Sequence, residues 1–282
     1  MNLAKLREKI AFTILGLSTL FVILPIFAIV FYIVKNAIGV ISWDFILDIP
    51  RNGMREGGIY PAIVGTIYLV LGTILFSLPL GIMAAIYLVE YANDNFFTKL
   101  VKVSIVNLSG IPSIVYGLFG MALFVIFLKF GTSILSGCLT LSIMSLPLII
   151  TATKEALDAV PFSFREISLS LGATKWQTIR YCVLPYALPG ILTGTVLSLS
   201  RSAGETAPIL FTVAAFYLPR LPRSIFDQVM ALPYHLYVIS TQIPNMPLRL
   251  SFATAFVLIV LVFLMNLVNV ILRIQFRKKK QW

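Results

Sequence analysis

Two ionisable residues, Arg201 and Glu205, stand inside the otherwise uncharged run 197–208. At about 100° per residue, they share one helix stripe with Ser198 and Ser202. Ionisable groups inside a membrane are costly, and they usually face a bundle interior or a water-filled path. The stripe therefore predicts a passage for an anion, in which Arg201 binds the anion and Glu205 weakens the attraction between the two. The alternative is a buried ion pair that locks helix packing.

Prolines predict where the helices that carry these residues break. Pro208 cannot donate a backbone hydrogen bond, so we expect the helix to bend or open beside Glu205. In a second segment, Pro112 follows Ser109 near a helix start, and backbone N–H groups around Ser113 are candidates for binding an anion. A plain proline kink is the alternative for that segment.

The composition identifies the kind of element that must position these residues. The 282 residues are 59% hydrophobic and only 12% charged, whereas soluble domains are about 25% charged. A water-soluble globule and a disordered chain are both excluded. The net charge of +11 comes from basic clusters beside apolar runs, which are typical of membrane topology signals rather than of nucleic-acid binding. The sequence is that of an integral membrane protein.

Six uncharged runs are long enough to cross a bilayer as helices. Their continuous apolar character excludes a transmembrane β-barrel. Residues 229–248 form another uncharged run, but its three prolines and its polar residues predict an interfacial or extramembrane segment. We predict one transmembrane domain over 1–282, all-α, with spans at about 10–34, 61–89, 103–128, 132–153, 187–213 and 250–272.

Basic residues indicate the orientation of these spans. Fourteen lysines and arginines flank one side, seven flank the other, and Arg201 lies inside the membrane. The basic-rich side is normally cytoplasmic. Both termini are therefore predicted to be cytoplasmic, with the C-terminal basic cluster at 273–280.

The long loop at 153–186 lies on that cytoplasmic side and is predicted to contain two short helices. Ser163 with Glu166, and Thr174 with Gln177, have capping-box spacing at two helix starts. Gly172 is placed to end the first helix in a left-handed turn, and Pro185 to close the second. An ordinary structured loop is the alternative to a docking element.

The pattern from Glu166 through Gly172 to Leu184-Pro185 resembles the EAA loop of ABC-importer permeases. Ile167 and Ser168 stand where that family prefers alanine, and Cys182 where it prefers an aliphatic residue. The resemblance implies a type I ABC importer permease fold, in which a coupling helix docks on an ATPase subunit. The implied coupling residues are Glu166, Leu169, Gly172, Ala173 and Pro185. Because the sequence contains no G-x-x-x-x-G-K-[ST] motif, ATP and Mg are expected on the partner ATPase, with no cofactor on this chain.

A narrower resemblance concerns phosphate. Residues 201–208 and 110–117 are similar to signatures of phosphate-importer permeases, and residues 57–66 and 208–212 resemble the PstA-type member of that family rather than the PstC-type. This implies a bacterial inner-membrane importer of phosphate, with a PstC-like second permease chain, two PstB-like ATPase chains and an external PstS-like binding protein. The implied substrate pathway contains Ser113, Ser198, Arg201, Ser202 and Glu205.

Other functions stay open on the residues alone. Within the importer class, the substrate is alternatively another oxyanion such as molybdate, sulfate or phosphonate. A gradient-driven secondary transporter would share the spans but would not need the 153–186 loop. An intramembrane enzyme would need paired carboxylates, a histidine-based triad or a metal motif, and none is visible. The single histidine, His235, is predicted to be an interfacial side chain, and two cysteines are too few for a disulfide framework.

Overall fold

The computed structural model of the protein describes residues 3–278, which are mostly helical. Two short strands, β1 (Pro50–Arg51) and β2 (Glu56–Gly57), pair antiparallel around a 3₁₀ turn at Asn52–Met54. The α-helices of this described part are α1 (Leu3–Ala37), α2 (Trp43–Leu47), α3 (Tyr60–Ile86), α4 (Phe96–Ser109), α5 (Ser113–Gly120), α6 (Ile134–Asp158), α7 (Phe162–Ser170), α8 (Lys175–Gln177), α9 (Leu184–Gly204), α10 (Ala207–Thr212), α11 (Leu232–Thr241) and α12 (Leu248–Lys278). Three π-helical segments extend them, at Tyr87–Tyr91, Met121–Phe127 and Thr178–Val183.

Five helical stretches in residues 3–278 are long and apolar enough to cross a membrane. They are Arg7–Ala37, Tyr60–Tyr91, Ile134–Asp158, Lys175–Gly204 and Leu248–Gln275. A sixth crossing is available when α4 and α5 with its π-helical extension are counted together, although they are bent by 106°. The all-helical membrane architecture is confirmed.

The third predicted span, over 103–128, is interrupted near its start. The helix ends at Ser109, and a new one starts at Ser113 with Pro112 as its N-cap residue in an extended conformation. Proline removes one backbone donor and disfavours the helical conformation of the residue before it. The third span is therefore sharply broken at Pro112 rather than only kinked.

Helices α3, α6 and α9 pack closely in the centre of the molecule because small residues line their contacts. A Cβ added at Gly81 of α3 would lie 2.6 Å from Cγ2 of Ile149 in α6, and one added at Gly194 of α9 would overlap the Ala152 side chain. Inside a bilayer the hydrophobic effect does not drive helices together, so their association depends on close packing. Small residues allow the helix backbones to approach closely enough for it. The contacts fix these three helices against one another.

The two ends of the bundle have different structures. The loop end is formed by Tyr87–Tyr91 and residues 159–183, and the cap end by residues 38–59 and 213–247. The two halves of the cap contact each other, since Arg55 donates to the carbonyl of Pro244 at 3.0 Å and the Tyr217 hydroxyl donates to the carbonyl of Pro50 at 3.1 Å. The cap is therefore one layer rather than two independent loops.

The cap also completes the start of α6. The backbone N–H groups of Ile134 and Leu135 donate to the carbonyls of Asp227 and Ile225, at 2.9 and 3.0 Å. The first N–H groups of a helix have no partner within the helix. These contacts satisfy them and hold the cap against the bundle. In the same turn, the backbone N–H of Arg223 donates to Asp227 and lowers the pKa of that carboxyl.

Helix α11 lies where a seventh apolar run was interpreted as an interfacial or extramembrane segment. Its ten residues span about 15 Å, which is too short to cross a bilayer. It folds back on the protein, with the Leu232 N–H donating to Thr66 of α3 at 2.8 Å. The prediction that His235 is an interfacial side chain is wrong, because the imidazole is 4% exposed. Burial lowers the pKa of His235 to about 4.

Candidate functional site

Arg201 and Glu205 lie where the fifth predicted span breaks. Helix α9 ends at Gly204, Glu205 has an extended conformation with ψ 130°, and α10 starts at Ala207 with Pro208 in its first turn. Nε of Arg201 donates to Oε1 of Glu205 at 3.2 Å. The break that Pro208 predicted beside Glu205 is therefore present, and the ion pair lies directly against it.

The predicted stripe is divided between two environments. Ser198 and Ser202 are buried, and the Ser202 hydroxyl lies 3.0 Å from that of Ser145 in α6. Arg201 is exposed, on the same face as Leu197. Ser198, Arg201 and Ser202 do share the predicted stripe of α9, but the stripe is about 100° wide, and the boundary between the buried and exposed faces of the helix falls inside it.

The ion pair does not join two helices. The Arg201 side chain is 43% exposed, that of Glu205 is 15% exposed, and both belong to the same chain segment. A pair inside one segment orients the guanidinium but does not lock α9 to a neighbour. The arrangement presents an arginine fork of the kind that binds oxyanions with two parallel hydrogen bonds.

Helix α5 packs beside the same break. A Cβ added at Gly117 would lie 2.9 Å from the Ala207 carbonyl oxygen and 3.0 Å from Cα of Pro208. Tyr116 is buried, and its hydroxyl donates to the carbonyl of Leu108 at 2.7 Å. The structure thus brings the broken third span next to the broken fifth span.

Ser113, the remaining residue of the predicted pathway, is the first residue of α5 and is half-buried. The sequence does not identify Tyr116, which lies about one helical turn after Ser113. A single tyrosine in an apolar helix has the same pattern as a residue that only packs in the core.

At the loop end, α7 stops as predicted. Gly172 has φ +83°, and its N–H donates to the carbonyl of Leu169 at 3.0 Å. The next N–H, of Ala173, donates to the carbonyl of Ser168 at 3.2 Å. These two bonds form a Schellman motif, in which glycine takes the left-handed position without a Cβ clash.

Two other details of the loop were predicted incorrectly. Ser163 lies inside α7, whose N-cap residue is Pro161, so the Ser163–Glu166 capping box does not form. Pro185 does not close a helix but lies in the first turn of α9, because the π-helical segment Thr178–Val183 joins α8 to α9. Proline is tolerated there because the π-helical segment just before it already departs from the hydrogen-bond pattern that a proline interrupts. The Thr174–Gln177 capping box is present.

The implied coupling residues mostly lie on the outer surface of the loop end. Glu166, Leu169 and Gly172 are exposed, whereas Ala173 and Pro185 are half-buried. Ile167 and Leu171 expose apolar surface beside them. Exposed apolar side chains grouped on and beside a short helix such as α7 are typical of a surface that a partner protein covers.

One strong contact of the loop was not foreseen. Arg165 and Glu90 form an ion pair of 2.7 Å, and their side chains are 11% and 8% exposed. In the sequence, Arg165 is only one of the fourteen basic residues that indicate the cytoplasmic side. The sequence does show Glu90 as a carboxylate at the end of an apolar run. It does not show the partner of Glu90, because Arg165 lies 75 residues away along the chain. In the described part of the chain, no three His, Cys, Asp or Glu side chains are grouped to hold a metal ion.

Comparison with known proteins identifies the family. Residues 77–278 match the family model described as "Binding-protein-dependent transport system inner membrane component". The chain belongs to this family. It is a permease subunit of an ABC transporter and an inner-membrane component.

Individual relatives extend over nearly the whole chain. It is 34% identical to the phosphate transport system permease protein PstA 2 of Mycobacterium tuberculosis, covering 93% of this chain and 85% of that protein. It is 35% identical to the probable phosphate transport system permease protein PstA of Methanocaldococcus jannaschii, covering 83% and 82%. It is 32% identical to the probable ABC transporter permease protein YqgI of Bacillus subtilis, covering 84% and 85%.

Solved structures agree on the fold. A bacterial ABC transporter that imports alginate has a TM-score of 0.65 at 15% identity, covering 93% of this chain and 96% of that one. The MetNI methionine transporter in an inward-facing conformation has a TM-score of 0.56 at 16% identity, covering 78% and 94%. The type I ABC importer permease fold is confirmed.

Proposed function

We propose that this chain is the membrane-spanning permease of an ATP-driven importer that moves inorganic phosphate into the cytoplasm. The observation that carries this function is the sustained identity of about one third to PstA phosphate permeases. The exposed arginine at the break between α9 and α10 supplies chemistry suited to an oxyanion. The importer architecture favours this function over a gradient-driven secondary transporter.

The proposed pathway runs beside the two broken helices. Arg201 binds the oxyanion through its guanidinium fork, and Glu205 orients that fork and lowers its net attraction, so that the anion can leave again. Ser113 begins the neighbouring helix. Ser198 and Ser202 are buried, and Ser202 contacts Ser145 of α6, so these serines support the backbone behind Arg201 rather than contact the anion.

The proposed partners occupy opposite ends of the molecule. A PstB-like ATPase holds ATP and Mg and docks on α7, which carries Glu166 and Leu169, and on the turn after it, which contains Gly172 and Ala173. An external PstS-like protein delivers phosphate to the cap end. A PstC-like permease chain pairs with this one and covers the exposed face of α9. This arrangement makes the loop end cytoplasmic, in agreement with the basic residues around it.

Uptake by the purified complex tests this function. Proteoliposomes that contain the permease, its partner chains and the binding protein are expected to accumulate labelled phosphate only when ATP is supplied to the ATPase side. Excess sulfate or molybdate is expected to leave the rate unchanged. Uptake of sulfate or molybdate in place of phosphate would contradict the substrate, and uptake without ATP would contradict the importer class.

A further inference from the structure

Arg165 joins three elements at the loop end. It belongs to α7, and its Nε and Nη2 atoms both donate to Oε1 of Glu90, at 3.0 and 2.7 Å. Its remaining hydrogen bonds go to the carbonyl oxygens of Leu157 at 3.1 Å and Val160 at 3.0 Å, where α6 ends. One side chain therefore ties α7 both to the π-helical end of the second span and to the end of the fourth.

The burial of this pair distinguishes it from a surface ion pair. Its two side chains are 11% and 8% exposed, whereas Lys99 and Asp94 on the same end of the molecule pair at 3.6 Å with 65% and 73% exposed. Exposed pairs constrain structure weakly, because water screens them and both side chains are mobile. A buried pair whose donors are satisfied holds one geometry, since separating its charges without water is costly.

Two further contacts hold the loop on either side of Arg165. Nζ of Lys175 lies 4.9 Å from the centre of the Tyr91 ring, also at the end of the second span. On the other side, the hydroxyl groups of Ser168 and Thr178 lie 2.9 Å apart. Tyr91 and Thr178 each belong to a π-helical segment, and such segments often occur at functional sites.

Helix α3 connects these contacts around Arg165 to the opposite end of the molecule. Near its start, Thr66 accepts a hydrogen bond from the Leu232 N–H, and a Cβ added at Gly65 would overlap the carbonyl oxygen of Met230. The continuous stretch Tyr60–Tyr91 is about 48 Å long at 1.5 Å per residue. A single helix is thus in tight contact with the loop at one end and with the cap at the other.

We propose that Glu90 and Arg165 are positioning residues that make α3 move with the coupling helix α7. Through this link, a change at the ATPase surface reaches the cap along the second span, in addition to the direct chain connection into α9. Conversely, a binding protein seated on the cap biases the docking loop through the same helix. This inference rests on the proposed function, because it assigns the two ends of α3 to the ATPase and to the binding protein.

The test compares coupling, rather than activity alone, in the reconstituted complex. Glu90→Gln keeps the size of the side chain and removes its charge, Glu90→Asp keeps the charge, and Asp94→Asn is the matched control at an exposed pair on the same end. The readouts are complex yield, the stimulation of ATP hydrolysis by the phosphate-loaded binding protein, and phosphate imported per ATP.

For Glu90→Gln we expect normal yield, continued ATP hydrolysis, and a fall in phosphate per ATP of about fivefold, the lower end of typical coupling between two sites. Stimulation by the binding protein should fall in parallel. Glu90→Asp should recover part of both quantities, and Asp94→Asn should match the unmodified complex. Recovery by the conservative variant would not be expected if only side-chain volume mattered.

Two results would overturn the link. The first is an unchanged phosphate-to-ATP ratio and unchanged stimulation in Glu90→Gln. The second is a Glu90→Gln complex that fails to assemble while Glu90→Asp assembles with full coupling, which would make the pair a structural lock. An unmodified complex that imports sulfate or molybdate instead would contradict the proposed substrate, and the same ratio measured with that anion would still decide the link.

Discussion

At the scale of single residues, the position of Arg201 explains why its charge is tolerated inside a membrane span. Its guanidinium is partly exposed and pairs with Glu205 at a break in the helix. A buried arginine without a partner would be far more costly. The same exposure makes the fork available to a ligand. Glu205 therefore has two consequences: it compensates the charge at rest, and it competes with an incoming anion.

The Arg201 and Glu205 variants test the anion pathway. Arg201→Gln should lower phosphate uptake by about 100-fold while the complex still assembles, because charge-assisted hydrogen bonds contribute about 1.5–3 kcal/mol each. Arg201→Lys should retain a little uptake, since it keeps the charge but not the fork. Glu205→Gln should slow turnover. Complex yield and labelled-phosphate uptake are the measurements.

A double variant separates the pathway from a packing role. Arg201→Leu combined with Glu205→Leu removes both charges and keeps apolar volume, so an ion pair that served only packing would be replaced without loss. We expect this variant to assemble and to transport no phosphate. Robust phosphate uptake by it would rule out an anion site at Arg201.

At the scale of elements, α3 is held between the cap and the loop by contacts that leave little room. Gly65 faces the carbonyl of Met230 so closely that no side chain fits. At the other end of the helix, Glu90 is held by Arg165. An element fixed at both ends transmits displacement better than one that is free at either end, because packed interiors are close to crystal density and have low compressibility.

Gly65→Ala tests the contact between α3 and the cap. Its methyl group should displace the Met230 backbone and destabilise the protein by about 1–3 kcal/mol, as overpacking does. Gly16→Ala is the matched control: Gly16 also lies inside a helix, but a Cβ there meets no atom within 4 Å. The control should be neutral or slightly stabilising. Thermal unfolding of the detergent-solubilised protein measures both, and equal stability of the two variants would contradict the close contact.

At the scale of the whole molecule, the two ends differ in both structure and charge. The loop end carries the coupling helix, and the cap end is a layer of short helices and turns joined by hydrogen bonds across it. The proposed function requires these ends to face different compartments. The topology is therefore the property on which the assignments of the ATPase and the binding protein depend.

Single cysteines test this orientation. In a background with Cys138 and Cys182 replaced, Arg223→Cys at the cap and Asp94→Cys at the loop end both introduce exposed thiols. An impermeant maleimide added to intact spheroplasts should label position 223 within minutes and position 94 only after permeabilisation. The reverse pattern would overturn the inward orientation of the loop. The predicted C-terminal basic cluster reaches position 280, which lies outside the described residues.

Features that depend on neighbouring residues along the chain can be predicted from the amino-acid sequence. Uncharged runs determine membrane-spanning helices because lipid requires backbone groups to bond internally. Pro208 predicts the break beside Glu205, and Gly172 predicts the end of α7, since each acts on its own backbone. The resemblance carried by residues 201–208 agrees with the comparisons.

Contacts between distant parts of the chain depend instead on how the helices pack. Helical periodicity places Ser198, Ser202 and Arg201 near one another, but packing against α6 decides that the serines are buried and the arginine is not. Likewise, Glu90 and Arg165 are separated by 75 residues, and the sequence around either residue does not predict that the two form a pair. Their pairing exists because the second and fourth spans end side by side, and that depends on the packing of the whole bundle.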